Sequence, residues 1–204
     1  MAAAALALYS VSLFLTFGVR IAVQWRRTGS TGVHGLTAGT PPLELLAGTL
    51  FLGALILGAV SPILVLLDAL ETIPALEGAA PHAIGAVLAA GGILLTFGAQ
   101  LAMGNSWRIG VDPDEHLQLV TDGPFSLVRN PIYSAMLPTV FGLVLMVPTG
   151  LAIAAFLALL LALELQVRLV EEPYLLRTHG EEYASYASRV GRFVPGLGLL
   201  HGAR

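Results

Sequence analysis

Cysteine is absent from this 204-residue chain, and so is lysine. Without cysteine there is no disulfide, no thiol nucleophile and no thiolate ligand for a metal, and the redox compartment cannot be read from that residue. The missing lysines leave ten arginines as the whole basic complement, which reads as the mark of a GC-rich coding sequence rather than of a function. Charge of either sign is scarce: 11% of residues are charged against 56% apolar, for a formal net charge of −3. The five histidines include no i, i+4 pair and no HExxH, so no metal site is expected. No GxGxxG follows a strand-like run and no GxxxxGK[ST] occurs, so neither a Rossmann nor a P-loop nucleotide site is signalled. A serine-centred elbow is missing too, and covalent catalysis is not suggested.

What the chain has in abundance is apolar sequence in runs too long for the face of a soluble helix, and ~18 or more apolar residues in a row read as a membrane span. The expected class is an all-α integral membrane protein with five transmembrane helices, the last two forming a hairpin, and a cytoplasmic amphipathic helix after them. The spans are expected at about residues 6–24, 45–67, 83–103, 131–147 and 151–170. Met1 is followed by alanines with no basic n-region, which argues against a cleaved signal peptide and for retention of the first span. Trp25, Arg26 and Arg27 mark its interfacial end, with Arg20 able to snorkel to the same surface. Ser61-Pro62 predicts a kink in the second span. Gly98 and Ala102 put small residues at four-residue spacing in the third, where helices can approach closely in lipid.

The arginines test this topology. Three close the first span, two lie in the polar loop of residues 104–130, and five lie from Arg168 onward. Asp68, Glu71 and Glu77 occupy a loop with no basic residue, and the Pro148-Thr149-Gly150 turn has none either. The positive-inside rule then puts the N-terminus outside and the C-terminus in the cytoplasm, in what we expect to be a prokaryotic inner membrane. The chain is expected to form a single membrane domain over residues 1–204. Residues 1–103 hold three spans, and 104–204 hold a cofactor-binding loop, the hairpin and the C-terminal segment.

Candidate chemistry gathers on the cytoplasmic side. Arg129-Asn130-Pro131-Ile132-Tyr133 sits where the polar loop re-enters an apolar helix, with Pro131 at the first helical position and Asn130 as its cap. In the fifth helix Glu164, Arg168 and Glu171 fall at i, i+4 and i+7 on one stripe. Glu172 adjoins them at a corner predicted by Pro173. An isolated Glu164–Arg168 pair would be simple neutralisation, but a doubled acid facing Arg129 suggests a site, because ionisable groups near a span are costly to keep. Beyond the corner, Leu176, His179, Tyr183, Tyr186 and Val190 recur at helical spacing, with Arg177, Glu181 and Ser188 opposite, and Gly180 could interrupt the helix. That face suits either the leaflet surface or a lid over the site. Trp107, Arg108 and Asp112 read as a boundary anchor or as the entrance for a substrate.

The stretch from Leu119-Val120-Thr121-Asp122-Gly123-Pro124-Phe125 to Val128-Arg129-Asn130-Pro131-Ile132-Tyr133 resembles the LVTxGPY...RHPxYxG signature of the isoprenylcysteine carboxyl methyltransferase and phospholipid methyltransferase group. Glu171-Glu172, Gly180-Glu181-Glu182-Tyr183-Ala184-Ser185-Tyr186 and Arg189-Val190 are similar to that group's EE...GEEYxxYxxRV. Asn130 stands in place of the usual histidine, Ser134-Ala135 where a glycine is common, and His116 one residue from a frequent histidine. The resemblance covers about residues 119–195. It implies an integral-membrane methyltransferase using S-adenosylmethionine, with a lipophilic acceptor (an isoprenoid acid, a thiol or a lipid amine) entering from the bilayer.

Carried over, the resemblance gives Leu119, Val120, Gly123, Arg129, Asn130, Pro131, Tyr133, Glu172 and Tyr183 as cofactor contacts. From the polar stripe and its corner come the catalytic candidates Arg168, Glu171 and Glu172, and the substrate-side candidates are Trp107 and Arg108, in a part of the chain that shows no match to the family. A carboxylate acceptor would need no general base, whereas an amine or thiol would need one, with Glu171, Glu172 or His179 available. Two other readings remain open. One is a nicotinamide-dependent sterol or isoprenoid reductase of related architecture; the other is a non-catalytic membrane scaffold in which Arg129, Glu171 and Glu172 merely pair.

Overall fold

The computed structural model describes residues 1–33, 40–110 and 118–200. Asp112 and His116, both named above, lie outside the described residues. Among those residues the elements are helical, with only two isolated bridges, Val33 to Ile109 and Val128 to Gly191. Helix α1 runs over Ala2–Thr28, α2 over Pro42–Leu66, α3 over Ala79–Ala102, α4 over Pro131–Met146, α5 over Gly150–Leu165 and α6 over Glu172–Ala187. A π-helical turn, Phe14–Val19, interrupts α1, and another, Gln166–Glu171, joins α5 to α6 without a break.

Four helical runs are long and apolar enough to cross a membrane: Ala2–Thr28, Pro42–Leu66, Ala79–Ala102 and Gly150–Ala187. The expected fourth span, α4, has only 16 residues, about 24 Å at 1.5 Å per residue against ~30 Å of hydrocarbon. It packs between α3 and α5, so four of the five expected spans have membrane-crossing length among the described residues and the remaining one is a shorter apolar helix. The α4–α5 turn is as tight as expected, with the Thr149 hydroxyl accepting from the Ala152 amide. α2 runs on through Pro62, and Ser61 there bonds Thr149 at 2.7 Å.

Two local expectations are corrected, the break at Pro173 and the packing of Gly98 and Ala102, while the one at Gly180 holds. The helix does not stop at Pro173. A proline clashes with the carbonyl four residues back and offers no N–H, and the wider π turn just before it relieves both. The interruption comes at Gly180, whose φ of 51° and ψ of −124° leave the helix. Close packing in α3 does not use Gly98, which has open space around it, or the exposed Ala102. It uses Gly85, Ala89 and Gly92, against Gly142, Thr139 and Ala135 of α4. Small residues at this spacing let backbones touch where lipid offers no hydrophobic drive.

A methyl group on Gly142 would sit 2.6 Å from the Ala89 amide nitrogen and closer still to the Gly85 carbonyl. Gly142→Ala is therefore expected to lower the thermal midpoint in detergent by an amount matching about 1–3 kcal/mol of overpacking. Gly98→Ala, which meets nothing within 4 Å, is expected to leave it unchanged.

Candidate active site

The start of α4 is built by hydrogen bonds to the C-terminal tail. The Arg129 amide donates to the Gly191 carbonyl at 2.8 Å and the Asn130 amide to Arg192 at 3.1 Å. Pro131 sits in the first helical turn as expected, but Asn130 does not cap that turn through its side chain. Its Nδ2 donates at 3.1 Å to the same Arg192 carbonyl that accepts from its backbone amide. The Ser134 hydroxyl adds a bond to Phe193 at 2.8 Å.

Behind this junction lies a buried ionic cluster. Glu172 is 5% exposed and receives Arg129 Nη2 at 2.6 Å on one oxygen and Arg192 Nη2 at 2.8 Å on the other. Arg192 Nε adds 2.8 Å to the first oxygen. Arg129 further donates to the carbonyls of Ala187 and Gly198, each at 3.0 Å, and to that of Val190. Its Nε is buried and meets no hydrogen-bond acceptor in good geometry among the described residues. The hydrogen bonds that Arg192 donates to the Glu172 carboxylate hold its guanidinium above its ordinary pKa. Arg192 was only counted as tail charge in the sequence. The one signal that could have found it is chemical: a buried carboxylate has room for two guanidinium forks, and Arg129 supplies one.

In front of the junction lies a cavity of about 450 Å³. Tyr133, Arg129, Asn130 and Pro131 line it from α4, and Leu119 and Val120 from the preceding loop. Glu171, His179 and Tyr183 line it from α6 and the π turn before it, and Trp107 and Arg108 from the loop after α3. The Tyr133 hydroxyl donates to Glu171 at 2.6 Å, and Gln166 Nε2 lies 3.5 Å from the same oxygen. Arg108 stacks 5.0 Å over the Tyr174 ring. Tyr183, Tyr186 and Ala187 are buried and pack with Leu119 and Val190, so this face of α6 turns inward against the loop before α4. Tyr186 is pinned to the Phe125 carbonyl at 2.5 Å. Leu176, 40% exposed, lies off that face.

Thus two sequence segments some forty residues apart converge, but three expected members do not line the cavity. Gly123 lies in the 3₁₀ turn Gly123–Ser126 outside it, with φ of 57°. Glu172 faces its arginines. Arg168 is exposed and pairs with Glu164, because the π turn rotates Glu171 off the stripe that the α-helical spacing had drawn. Sequence reasoning also missed Gln166, Tyr174 and Glu44, which line the cavity from the π turn, α6 and the first turn of α2.

Glu172→Gln would leave two buried guanidiniums without their anion. A loss of about 3–5 kcal/mol is expected from breaking such a buried pair, read as a lower melting temperature and as new protease sensitivity in residues 188–200. Arg168→Gln, at an exposed pair, is expected to shift stability by less than about 0.5 kcal/mol.

Comparison with known proteins gives these features a lineage. The sequence model of the phospholipid methyltransferase family matches residues 80–182, just over half of the chain. The cobalt-zinc-cadmium resistance protein CzcN of Cupriavidus metallidurans is 35% identical over 115 residues, covering 54% of this chain and 53% of that protein. Protein-S-isoprenylcysteine O-methyltransferase B of Arabidopsis thaliana is 32% identical over 87 residues, 43% of this chain and 44% of that one. The chain spans about half the length of the curated relatives it matches. Among solved structures, the eukaryotic intramembrane Ras methyltransferase ICMT superposes with a TM-score of 0.59 at 20% identity, over 95% of this chain and 68% of that one. That likeness gives the fold, and with the four membrane-length helical runs it makes this an integral membrane protein. On the match to its central half, the chain belongs to the phospholipid methyltransferase family, the membrane methyltransferase group that includes the isoprenylcysteine enzymes.

Proposed function

We propose that the protein transfers a methyl group from S-adenosylmethionine to a lipophilic small molecule taken from the bilayer. The observation that carries this reading is the single cavity in which Arg129, Asn130 and Tyr133 meet Glu171 and Tyr183. Its volume of about 450 Å³ falls in the usual range for small-molecule sites. The donor set suits this cofactor, which joins a cation, an amino acid and an adenosine. The Glu171 carboxylate answers the positive groups, Arg108 the carboxylate, and the aromatic and aliphatic wall of Leu119, Val120 and Tyr183 the adenosine. The buried Arg129 Nε adds a donor.

Bound there, S-adenosylmethionine supplies a methyl carbon on a good leaving group, so the chain's own task is to align an acceptor and keep water out. Tyr133 holds Glu171 in one orientation. The Tyr183–Tyr186 face of α6 closes the side toward water. A poorly solvated site helps any anionic acceptor whose charge cancels that of the sulfonium, whereas an amine must first lose a proton to a group in the cavity wall. The apolar flank of Phe17, Phe51 and Met136 leaves room for the acceptor's hydrocarbon. In the same reading the cavity opens to the cytoplasm of a bacterial cell. Arg26, Arg27, Arg177 and Arg189 belong to its end of the molecule, and Asp68, Glu71 and Glu77 to the other.

The test is transfer of radiolabelled methyl from S-adenosylmethionine to a panel of lipophilic acids, thiols and amines. S-adenosylhomocysteine should raise the melting temperature in detergent, and a nicotinamide dinucleotide should not. Tyr133→Phe and Glu171→Gln should each lower turnover about 10- to 100-fold, the scale of one hydrogen bond to a charged group. Stabilisation by the nicotinamide instead would replace this reading with a reductase.

A further inference from the structure

The family match begins at residue 80, so the residues before it are where this chain can differ in the acceptor it takes. They contribute Thr16, Phe17, Ala47, Gly48, Phe51 and Glu44 to the cavity wall, and Glu44 is the ionisable one among these. Its depth follows from helix register. α2 and α5 pack antiparallel, levelled by the Ser61–Thr149 hydrogen bond. Glu44 precedes Ser61 by 17 residues, as many as separate Thr149 from Gln166, so both helices descend by about 25 Å. Glu44 therefore lies at the level of the π turn that carries Glu171, on the part of the wall that α2 contributes.

The two carboxylates differ in what they already do. Glu171 is bonded to Tyr133 at 2.6 Å, on the side of the motif residues. Glu44 is half-buried and has neither a hydrogen-bond nor an ion-pair partner among the described residues. A carboxylate at the edge of an apolar pocket without a partner favours a cation and repels an anion, because little solvent stands between it and the ligand. The wall on either side of it is small or apolar, Ala47 and Gly48 toward the helix and Phe51 one turn on, which leaves space for a head group beside a hydrocarbon chain.

We propose that Glu44 selects the acceptor's head group, and that the protein prefers a lipophilic amine over the corresponding carboxylate. This rests on the methyl-transfer reading of the cavity. Glu44 accepts a hydrogen bond from the amine on the α2 side of the cavity and takes one proton from its ammonium form, so that the nitrogen offered to the methyl group is neutral and carries a free electron pair, while the tail lies along Phe51 and Met136. A carboxylate head at the same place would face Glu44 with like charge.

The experiment uses the full chain in nanodiscs, loaded with S-adenosylhomocysteine, and measures binding of decylamine and decanoate. Decylamine should bind more tightly than decanoate. Glu44→Gln should weaken decylamine about tenfold, the scale of a charge-assisted hydrogen bond, without weakening decanoate, and Glu44→Asp should recover part of the loss. The melting-temperature shift given by S-adenosylhomocysteine should be the same in all three proteins. Tighter binding of decanoate, or decylamine binding indifferent to Glu44→Gln, overturns the assignment of Glu44. Failure of S-adenosylhomocysteine to stabilise even the unsubstituted protein overturns the cofactor reading beneath it.

Discussion

One buried carboxylate governs how this molecule closes. Glu172 lies between Arg129 and Arg192, so a single anion joins the loop before α4, the start of α6 and the C-terminal tail. Two guanidiniums against one carboxylate leave a net positive charge in a dry place. That excess is absorbed by the carbonyls of Ala187, Val190 and Gly198, all of which accept from Arg129. A buried ion pair gains little over a well-packed apolar cluster, but it penalises every arrangement that separates its members. The penalty makes the mutual placement of these three segments nearly unique, and the front of the same junction is the cavity wall.

The membrane half solves the opposite problem, holding helices together with almost no charge. Gly85, Gly92 and Gly142 bring α3 and α4 to backbone contact. Among the described residues Arg20 is the fully buried cation of that half, and no acid there pairs with it. It donates to the carbonyls of Gln100 and Gly104 at 3.3 and 2.5 Å and lies 4.5 Å over the ring of Trp107. Those carbonyls belong to the end of α3, the negative pole of its dipole, so a helix terminus serves as counter-charge. Trp107, 2% exposed, is thereby fixed where it can line the cavity.

Much of this was legible in the chain. Apolar runs and the position of Pro148 gave the helices and the hairpin, because burial in lipid writes itself as uninterrupted hydropathy. The two motif segments announced their own meeting, since polar residues at the edge of a span need a reason to be there. What escaped was what depends on the exact turn. Glu164, Arg168 and Glu171 share a stripe only at α-helical pitch, and the choice between a corner at Pro173 and a π turn before it is made by neighbours rather than by local preference. Glu44 escaped for another reason: a lone acid in a first helical turn is the ordinary companion of a helix dipole. Nothing within its own segment says that a cavity lies beside it.

The two π turns deserve to be read as a pair. Phe14–Val19 and Gln166–Glu171 lie in helices far apart in sequence, yet Thr16 and Phe17 from one and Gln166 and Glu171 from the other line the same cavity. Each is followed at once by a buried charged residue held by distant partners, Arg20 by the end of α3 and Glu172 by its two arginines. A π turn is rare because its hydrogen bonds are poorer than those of an α-helix, so it persists only where tertiary bonds over-determine it. Here they do so on both sides. The charge that follows is anchored outside the cavity, and the extra residue is taken up just before it, which turns the preceding polar side chains inward. The irregularity of both helices is thus a consequence of the anchors, and the composition of the cavity wall is a consequence of the irregularity.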